Sequence, residues 1–152
     1  MRSVRTAALL AGGGAAALLA GAYGFQYLGD LVPCEMCWWQ RWALFATLTL
    51  AALALLVRGR ALTVAALAAL FTNAGIALFH AGVEQKWWEG LTRCTAGPVT
   101  GSTADVMADI LAQPLVRCDA IPWSLLGVSM AGWNAIISAL IGGMALWQLV
   151  RR

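Results

Sequence analysis

Charge is what this chain has least of: 11% of its 152 residues are charged and 61% are hydrophobic, whereas an ordinary soluble domain carries about 25% charge. That excludes a water-soluble globule and points to an integral membrane protein. Histidine is almost missing as well, with His80 alone. There is one Cys-x-x-Cys and no second, and the other two cysteines stand far apart, so a structural zinc site lacks its usual ligand spacing. No long stretch alternates apolar and polar residues, which excludes a membrane β-barrel. Internal repeats and low-complexity tracts are absent too.

What the chain has is four long runs rich in Ala and Leu, at about 6–28, 38–57, 61–80 and 124–150. Each holds about 20 residues or more, enough helix for the roughly 30 Å of a bilayer core. Helices satisfy their own backbone hydrogen bonds in lipid, so the expected fold class is an all-α membrane protein, one domain built as a four-helix bundle. The outer connections then run over about 29–37 and 81–123.

The basic residues fix the expected orientation. Arg2 and Arg5 precede the first run, Arg58 and Arg60 fill the second connection, and Arg151 and Arg152 end the sequence. Positive charge marks the cytoplasmic side, so both termini are expected there. All seven acidic residues, Asp30, Glu35, Glu84, Glu89, Asp105, Asp109 and Asp119, are then expected outside with the four cysteines. Met1–Arg5 and the run after it also fit a cleaved signal peptide, with Ala20-Gly21-Ala22 as the cleavage site. The run exceeds the usual signal core of about 7–15 residues, and its removal would still leave the cysteines outside. Trp38, Trp39, Trp42, Trp87, Trp88 and Trp123 fall near the outer ends of the spans, where an aromatic belt anchors at headgroup depth.

Pro33-Cys34-Glu35-Met36-Cys37-Trp38-Trp39-Gln40-Arg41 is the segment that carries chemistry. Pro33 starts a helix within the motif, which puts Cys37 in its first turn. There the unpaired amides and the helix dipole favour a thiolate. Arg41 follows Cys37 by four residues, on the same helical face. Its cation would stabilise a thiolate or an electron-rich oxygen on a bound acceptor. An arginine near a helix end also commonly snorkels to the interface, and both readings of Arg41 stand.

Four cysteines in an oxidising compartment read as two disulfides, Cys34–Cys37 by proximity and Cys94–Cys118 by elimination. Between the latter two, Thr103 to Ala112 could form a short helix with Val106, Met107, Ile110 and Leu111 on one face, lying on the membrane surface. The loop disulfide is either a static staple or a mobile exchange site. His80 ends the third span at the depth of Cys37 and Arg41; it is either a favourably placed helix-terminal histidine or part of a site.

With these residues in view, the chain resembles the disulfide bond formation protein B (DsbB) family of bacterial inner-membrane thiol oxidases. The likeness spans nearly the whole chain: four spans, Cys34, Cys37 and Arg41 as Cys-x-x-Cys-x-x-x-Arg, two later cysteines, and Cys118-Asp119-Ala120-Ile121-Pro122-Trp123 followed by Gly127, Met130 and Trp133. The resemblance implies that a periplasmic DsbA-like thioredoxin-fold dithiol attacks Cys94 and frees Cys118. Cys118 then attacks Cys34, and Cys37 leaves as a thiolate that reduces a membrane quinone held near Arg41, with ubiquinone favoured over menaquinone. It also implies that His80, Met130 and Trp133 line the quinone site, with the cysteines periplasmic. The system is the established example of a periplasm kept oxidising by a quinone-linked relay. Glu35 departs from the apolar residues usual between the first two cysteines, and an anion there opposes Arg41. Two other readings are a non-enzymatic membrane scaffold with structural disulfides and a reductase like the vitamin K epoxide reductase family. In the latter the dithiol usually sits on the last span, whereas here it opens the second.

Overall fold

Four helices dominate the computed structural model, which describes residues 2–91, 102–104, 107 and 117–151. They are α1 (Arg2–Tyr27), α2 (Glu35–Val57), α3 (Arg60–Glu84) and α4 (Met130–Val150), and each is long and apolar enough to cross a membrane. Each helix packs on its neighbours in chain order, and α4 closes the ring on α1. The all-α membrane bundle expected from the composition is the fold observed.

Lipid offers helices little hydrophobic reason to associate, so close backbone approach and van der Waals contact must hold them together. The buried positions accordingly are small: Ala7, Ala11 and Ala15 on α1, Ala51 and Ala54 on α2, Ala66 and Ala77 on α3, and Ala145 on α4. A methyl group at Gly12 would stand 3.0 Å from Ala51, and one at Gly142 would stand 2.9 Å from the Phe71 ring. Leu19, Leu44, Leu67, Leu70 and Leu149 fill the spaces between these contacts.

Three boundaries differ from the sequence expectation. First, α2 starts at Glu35, before the expected edge at Trp38, because Cys34 itself caps it by accepting a hydrogen bond from the Cys37 amide. Second, α3 runs one turn past His80, since nothing in Ala81-Gly82-Val83-Glu84 breaks it before Lys86 turns to a left-handed backbone (φ 60°). Glu84 therefore belongs to the helix and is buried, not exposed in the outer connection.

Third, the fourth span was expected from residue 124, yet 124–129 form a small hairpin. Ser124 pairs with Ser129 and Leu125 with Val128. The turn between them, Leu126-Gly127, has φ of 54° and 78°, the double left-handed pattern that a two-residue hairpin turn requires. Ser129 then caps α4 by accepting from the Gly132 amide at 3.1 Å. Of the short helix expected over 103–112, Thr103, Ala104 and Met107 are helical, and the remainder lies outside the described residues.

Candidate redox site at the α2 N-terminus

Cys34 and Cys37 bracket the first turn of α2, and the local geometry makes them unequal. The Cys34 thiol donates to the Cys37 sulfur across 2.9 Å, while Cys34 Sγ accepts the Cys37 amide at 3.3 Å. Cys34 is 5% exposed and Cys37 is half-buried. The Cys34 thiol is pushed far above the ordinary thiol range, chiefly by a hydrogen bond with Cys118, then by that with Cys37 and by burial. A protonated Cys34 aimed at Cys37 leaves Cys37 as the sulfur better suited to carry negative charge, at the helix position where the dipole also favours it.

Cys118 comes from the segment before the hairpin and packs, fully buried, in one cluster with Cys34, Met36 and Val83. Its neighbour Asp119 ties that segment down: the carboxylate accepts from Lys86 Nζ at 2.6 Å and from Arg117 Nε and Nη2 at 2.8 and 2.7 Å. The Arg117 guanidinium, helped by Lys86, holds the Asp119 carboxyl well below the usual carboxylate range. Three sulfurs from two parts of the chain thus meet at one end of the bundle. Among the described residues no disulfide is formed, and Cys94 lies outside them.

Arg41 does not snorkel. It is 5% exposed, and its guanidinium donates to Gln26 Oε1 at 2.5 Å and to the Ala22 carbonyl at 3.2 Å, both on α1. The rings of Tyr23 and Trp38 stand 4.6 and 5.1 Å from its central carbon, a cation–π setting on two sides. The cation is held in place by four neighbours rather than reaching for the interface.

His80 is also buried, at 3% exposure. Its Nδ1 meets Gln40 Nε2 at 2.8 Å, and its Nε2 lies 3.6 Å from Cys34 Sγ and 3.9 Å from Glu84 Oε1. Gln40 in turn accepts from Asn134 Nδ2 at 2.6 Å, and Asn134 Oδ1 accepts from Asn73 Nδ2 at 3.0 Å and from Ser138 Oγ at 3.1 Å. This ladder of amides joins α2, α3 and α4 deep in the bundle. With the Gln40 amide donating to Nδ1, the proton of a neutral His80 ring sits on Nε2, facing Cys34 and Glu84.

One cavity of about 730 Å³ collects these groups. Cys34, Cys37, Arg41, His80, Met130 and Trp133 all line it, as do Gln40, Glu84 and Asn134. Its volume falls in the range of pockets that hold organic ligands, about 300–1,000 Å³, and apolar walls with a few convergent polar groups are what such ligands need. An aromatic carbonyl ring fits that set: Arg41 and His80 can donate to its oxygens while Met130 and Trp133 pack on its face. A metal fits less well. The two sulfurs and His80 Nε2 lie within 4.8 Å of one another, but thiolates bound to a tetrahedral zinc at about 2.3 Å stand roughly 3.8 Å apart, not 2.9 Å.

Glu35, the acid between the two cysteines, is exposed at the start of α2 and is not among the cavity residues. The expected belt is at this end: Trp38, Trp39, Trp42, Trp87 and Trp88 are 38% to 66% exposed, whereas Trp123 packs against Phe25 with ring centres 4.8 Å apart. Sequence reasoning missed Gln26, Gln40, Asn134 and Glu84. A signal was there for the amides, since a polar side chain inside an apolar span needs a partner.

The fold and the site define a class: a four-helix, multi-pass membrane protein with a thiol cluster and a fixed arginine at one end. Comparison with known proteins gives the family. The family model described as "Disulfide bond formation protein DsbB" matches residues 4–148, and the chain belongs to that family. A disulfide bond formation protein B from Verminephrobacter eiseniae (strain EF01-2) is 35% identical, with 89% of this chain and 80% of that one aligned. Another of that name, from Marinobacter nauticus (strain ATCC 700491 / DSM 11845 / VT8), is 31% identical over 90% of this chain and 86% of its own. No solved structure matches at the same level of significance.

Proposed function

We propose that this protein is a membrane disulfide oxidase that withdraws two electrons from a DsbA-like thioredoxin-fold dithiol and delivers them to a quinone in the bilayer, ubiquinone before menaquinone. The observation that carries this reading is the shared cavity: the dithiol Cys34 and Cys37, the cation of Arg41 and the ring of His80 open onto one apolar space, and Cys118 touches Cys34 behind it.

The roles follow from thiol exchange, which needs an attacking thiolate, an accessible sulfur and a leaving sulfur that bears charge well. Cys94 meets the partner and releases Cys118. Cys118 attacks Cys34, its contact in the cluster, and Cys37 leaves as a thiolate in the first turn of α2. Arg41, oriented from α1, places positive charge where an acceptor oxygen gains electron density, and His80 Nε2 offers it a proton. Met130 and Trp133 supply apolar contact surface. The bound quinone would supply the two-electron sink. The thiol end of the bundle lies outside the cytoplasm, with both termini inside, an orientation that the arginine distribution supports.

The test is capture of the partner. Cys118→Ala cannot free Cys94 by internal exchange, so a periplasmic thioredoxin-fold protein should accumulate as a mixed disulfide on Cys94. Cys94→Ala should abolish the adduct. If Cys118→Ala captures nothing while its thiols react normally with small disulfides, the relay is wrong.

A further inference from the structure

Five polar side chains lie end to end inside the bundle, and of these the relay described above uses His80 alone. Gln40 on α2, Asn73 on α3, and Asn134 and Ser138 on α4 have no part in it. Asn73 and Ser138 are fully buried, and Gln40 nearly so. Polar groups inside a membrane span cost free energy unless they are bonded, and apolar residues would fill the same space without that cost. Here the bonds run in a fixed order toward the cavity. Asn134 Oδ1 accepts from Ser138 Oγ at 3.1 Å and from Asn73 Nδ2 at 3.0 Å, Asn134 Nδ2 donates to Gln40 Oε1 at 2.6 Å, and Gln40 Nε2 meets His80 Nδ1 at 2.8 Å. Asn134, Gln40 and His80 themselves line the cavity.

An amide oxygen only accepts and an amide nitrogen only donates, so the order of the ladder decides which end of Gln40 faces the histidine. With Asn134 donating to its oxygen, Gln40 turns its nitrogen to Nδ1, which must then accept, and the ring proton lies on Nε2. The reverse setting requires all three amides to turn together. It would place the Gln40 oxygen on Nδ1, move the ring proton there, and leave a bare Nε2 lone pair toward Cys34 Sγ at 3.6 Å and Glu84 Oε1 at 3.9 Å. The Cys34 thiol proton is already directed at Cys37, so sulfur and nitrogen would then oppose lone pair to lone pair. Both ends of the chain of bonds therefore favour the same tautomer, with an N–H on the side of the sulfurs.

Resting on the oxidase reading above, we propose that Gln40, held by Asn134, is a positioning residue for His80: it keeps the imidazole in the Nε2–H tautomer, so that the ring meets a carbonyl oxygen of the bound quinone as a hydrogen-bond donor and not as a base. No proton changes owner in this role. A bare Nε2 would set its lone pair against that oxygen, whereas the N–H attracts it, and does so more strongly as the oxygen gains electron density. Gln40 and Arg41 are consecutive on α2, and successive residues of a helix point about 100° apart. Arg41 accordingly bonds to Gln26 and the Ala22 carbonyl on α1, while Gln40 bonds to His80 on α3 and Asn134 on α4. One turn of α2 thus fixes two donors from different sides of the bundle, Arg41 directly and His80 through Gln40.

His80 is the sole histidine of the chain, so protein labelled with 15N-histidine and carrying no polyhistidine tag gives a single imidazole spectrum. In detergent at neutral pH the wild-type Nε2 should resonate as a protonated nitrogen and Nδ1 as an unprotonated one; a proton on Nδ1 would overturn the proposal without any variant. Gln40→Met keeps the bulk and deletes the amide. It should let the ring leave that state, seen as a second imidazole signal or exchange broadening, and raise the KM for ubiquinone-1 about 3- to 10-fold, the weight of one hydrogen bond, with kcat little changed. In a His80→Phe background the same substitution should leave KM where His80→Phe alone puts it. Asn134→Ala, which removes only the support of Gln40, should raise KM by less and likewise lose its effect without His80. An unchanged KM in Gln40→Met would overturn the proposal, and so would an equal rise with and without His80, which marks Gln40 as packing. If the wild type does not pass electrons from a reduced thioredoxin-fold dithiol to ubiquinone-1, the oxidase reading and the donor role fail together, while the wild-type spectrum still shows whether the tautomer is fixed.

Discussion

Replacing Arg41 with methionine preserves most of the side chain's length and apolar stem while deleting the guanidinium. Two consequences are separable. On the protein side, the hydrogen bonds to Gln26 and the Ala22 carbonyl and the contacts with Tyr23 and Trp38 are lost. Gln26 and Ala22 are only half-buried and can rehydrate, so the expected cost is about 1–2 kcal/mol, a fall in Tm of roughly 2–8 °C. On the ligand side, one charge-assisted hydrogen bond to an acceptor oxygen disappears, worth about 1.5–3 kcal/mol, or roughly 10- to 140-fold in kcat/KM for quinone. The assay is steady-state turnover with varied quinone, beside a quinone-free measurement of thiol exchange with the reduced partner. Exchange should stay within about 2-fold of wild type, since Arg41 touches neither Cys34 nor Cys118 in the contacts that hold it. Gln26→Ala, which only loosens the arginine, should raise the quinone KM a few-fold. An Arg41→Met protein that loses stability but keeps its kcat/KM for quinone would refute the reasoning and return Arg41 to the status of an anchor.

Gly82→Ala should lower Tm, although alanine is ordinarily the better helix former by about 1 kcal/mol, because the new methyl group would stand 2.0 Å from the Trp88 ring. That ring cannot retreat easily, being stacked on Phe79 and bonded to its carbonyl at 2.9 Å, so overpacking of about 1–3 kcal/mol is expected in thermal unfolding. Asp119 is held below its unfolded pKa of about 3.9, so its contribution is complete above that pH and is lost as pH falls through the lower folded value. The wild type should therefore keep Cys118 shielded from alkylation down to about pH 4, whereas Asp119→Asn exposes it at pH 7. Equal labelling of the two at pH 7 would show that the Lys86–Asp119–Arg117 contact does not hold the segment.

The membrane class, the number of helices and the redox motif were legible because each rests on a local signal: unbroken apolar runs, and a dithiol after a proline. The helix ends were less so. Nothing in Ser124-Leu125-Leu126-Gly127 reads as a strand, and the hairpin exists because Leu126 and Gly127 adopt left-handed backbone that brings Ser129 to cap α4. Glu84 followed an apolar run and read as the first acid of an outer loop; only the continuation of α3 by one turn reveals that it is buried beside His80. Pairwise placement was the part beyond local pattern. That Gln26, fifteen positions before Arg41, anchors its guanidinium depends on how α1 and α2 are set against each other, and no spacing along a single helix encodes it. Depth along the third span marked His80, the family resemblance supplied Met130 and Trp133, and all three line the cavity that the dithiol faces.

Electron passage from sulfur to a lipid-soluble acceptor is the claim on which everything else depends. The direct measurement is the absorbance of ubiquinone-1 mixed anaerobically with purified protein and a reduced thioredoxin-fold dithiol. One quinol should form for each disulfide made in the partner, and Cys37→Ala should form none. Quinone that stays oxidised while the partner's thiols are consumed, or a Cys37→Ala protein that reduces it at the wild-type rate, would contradict the account.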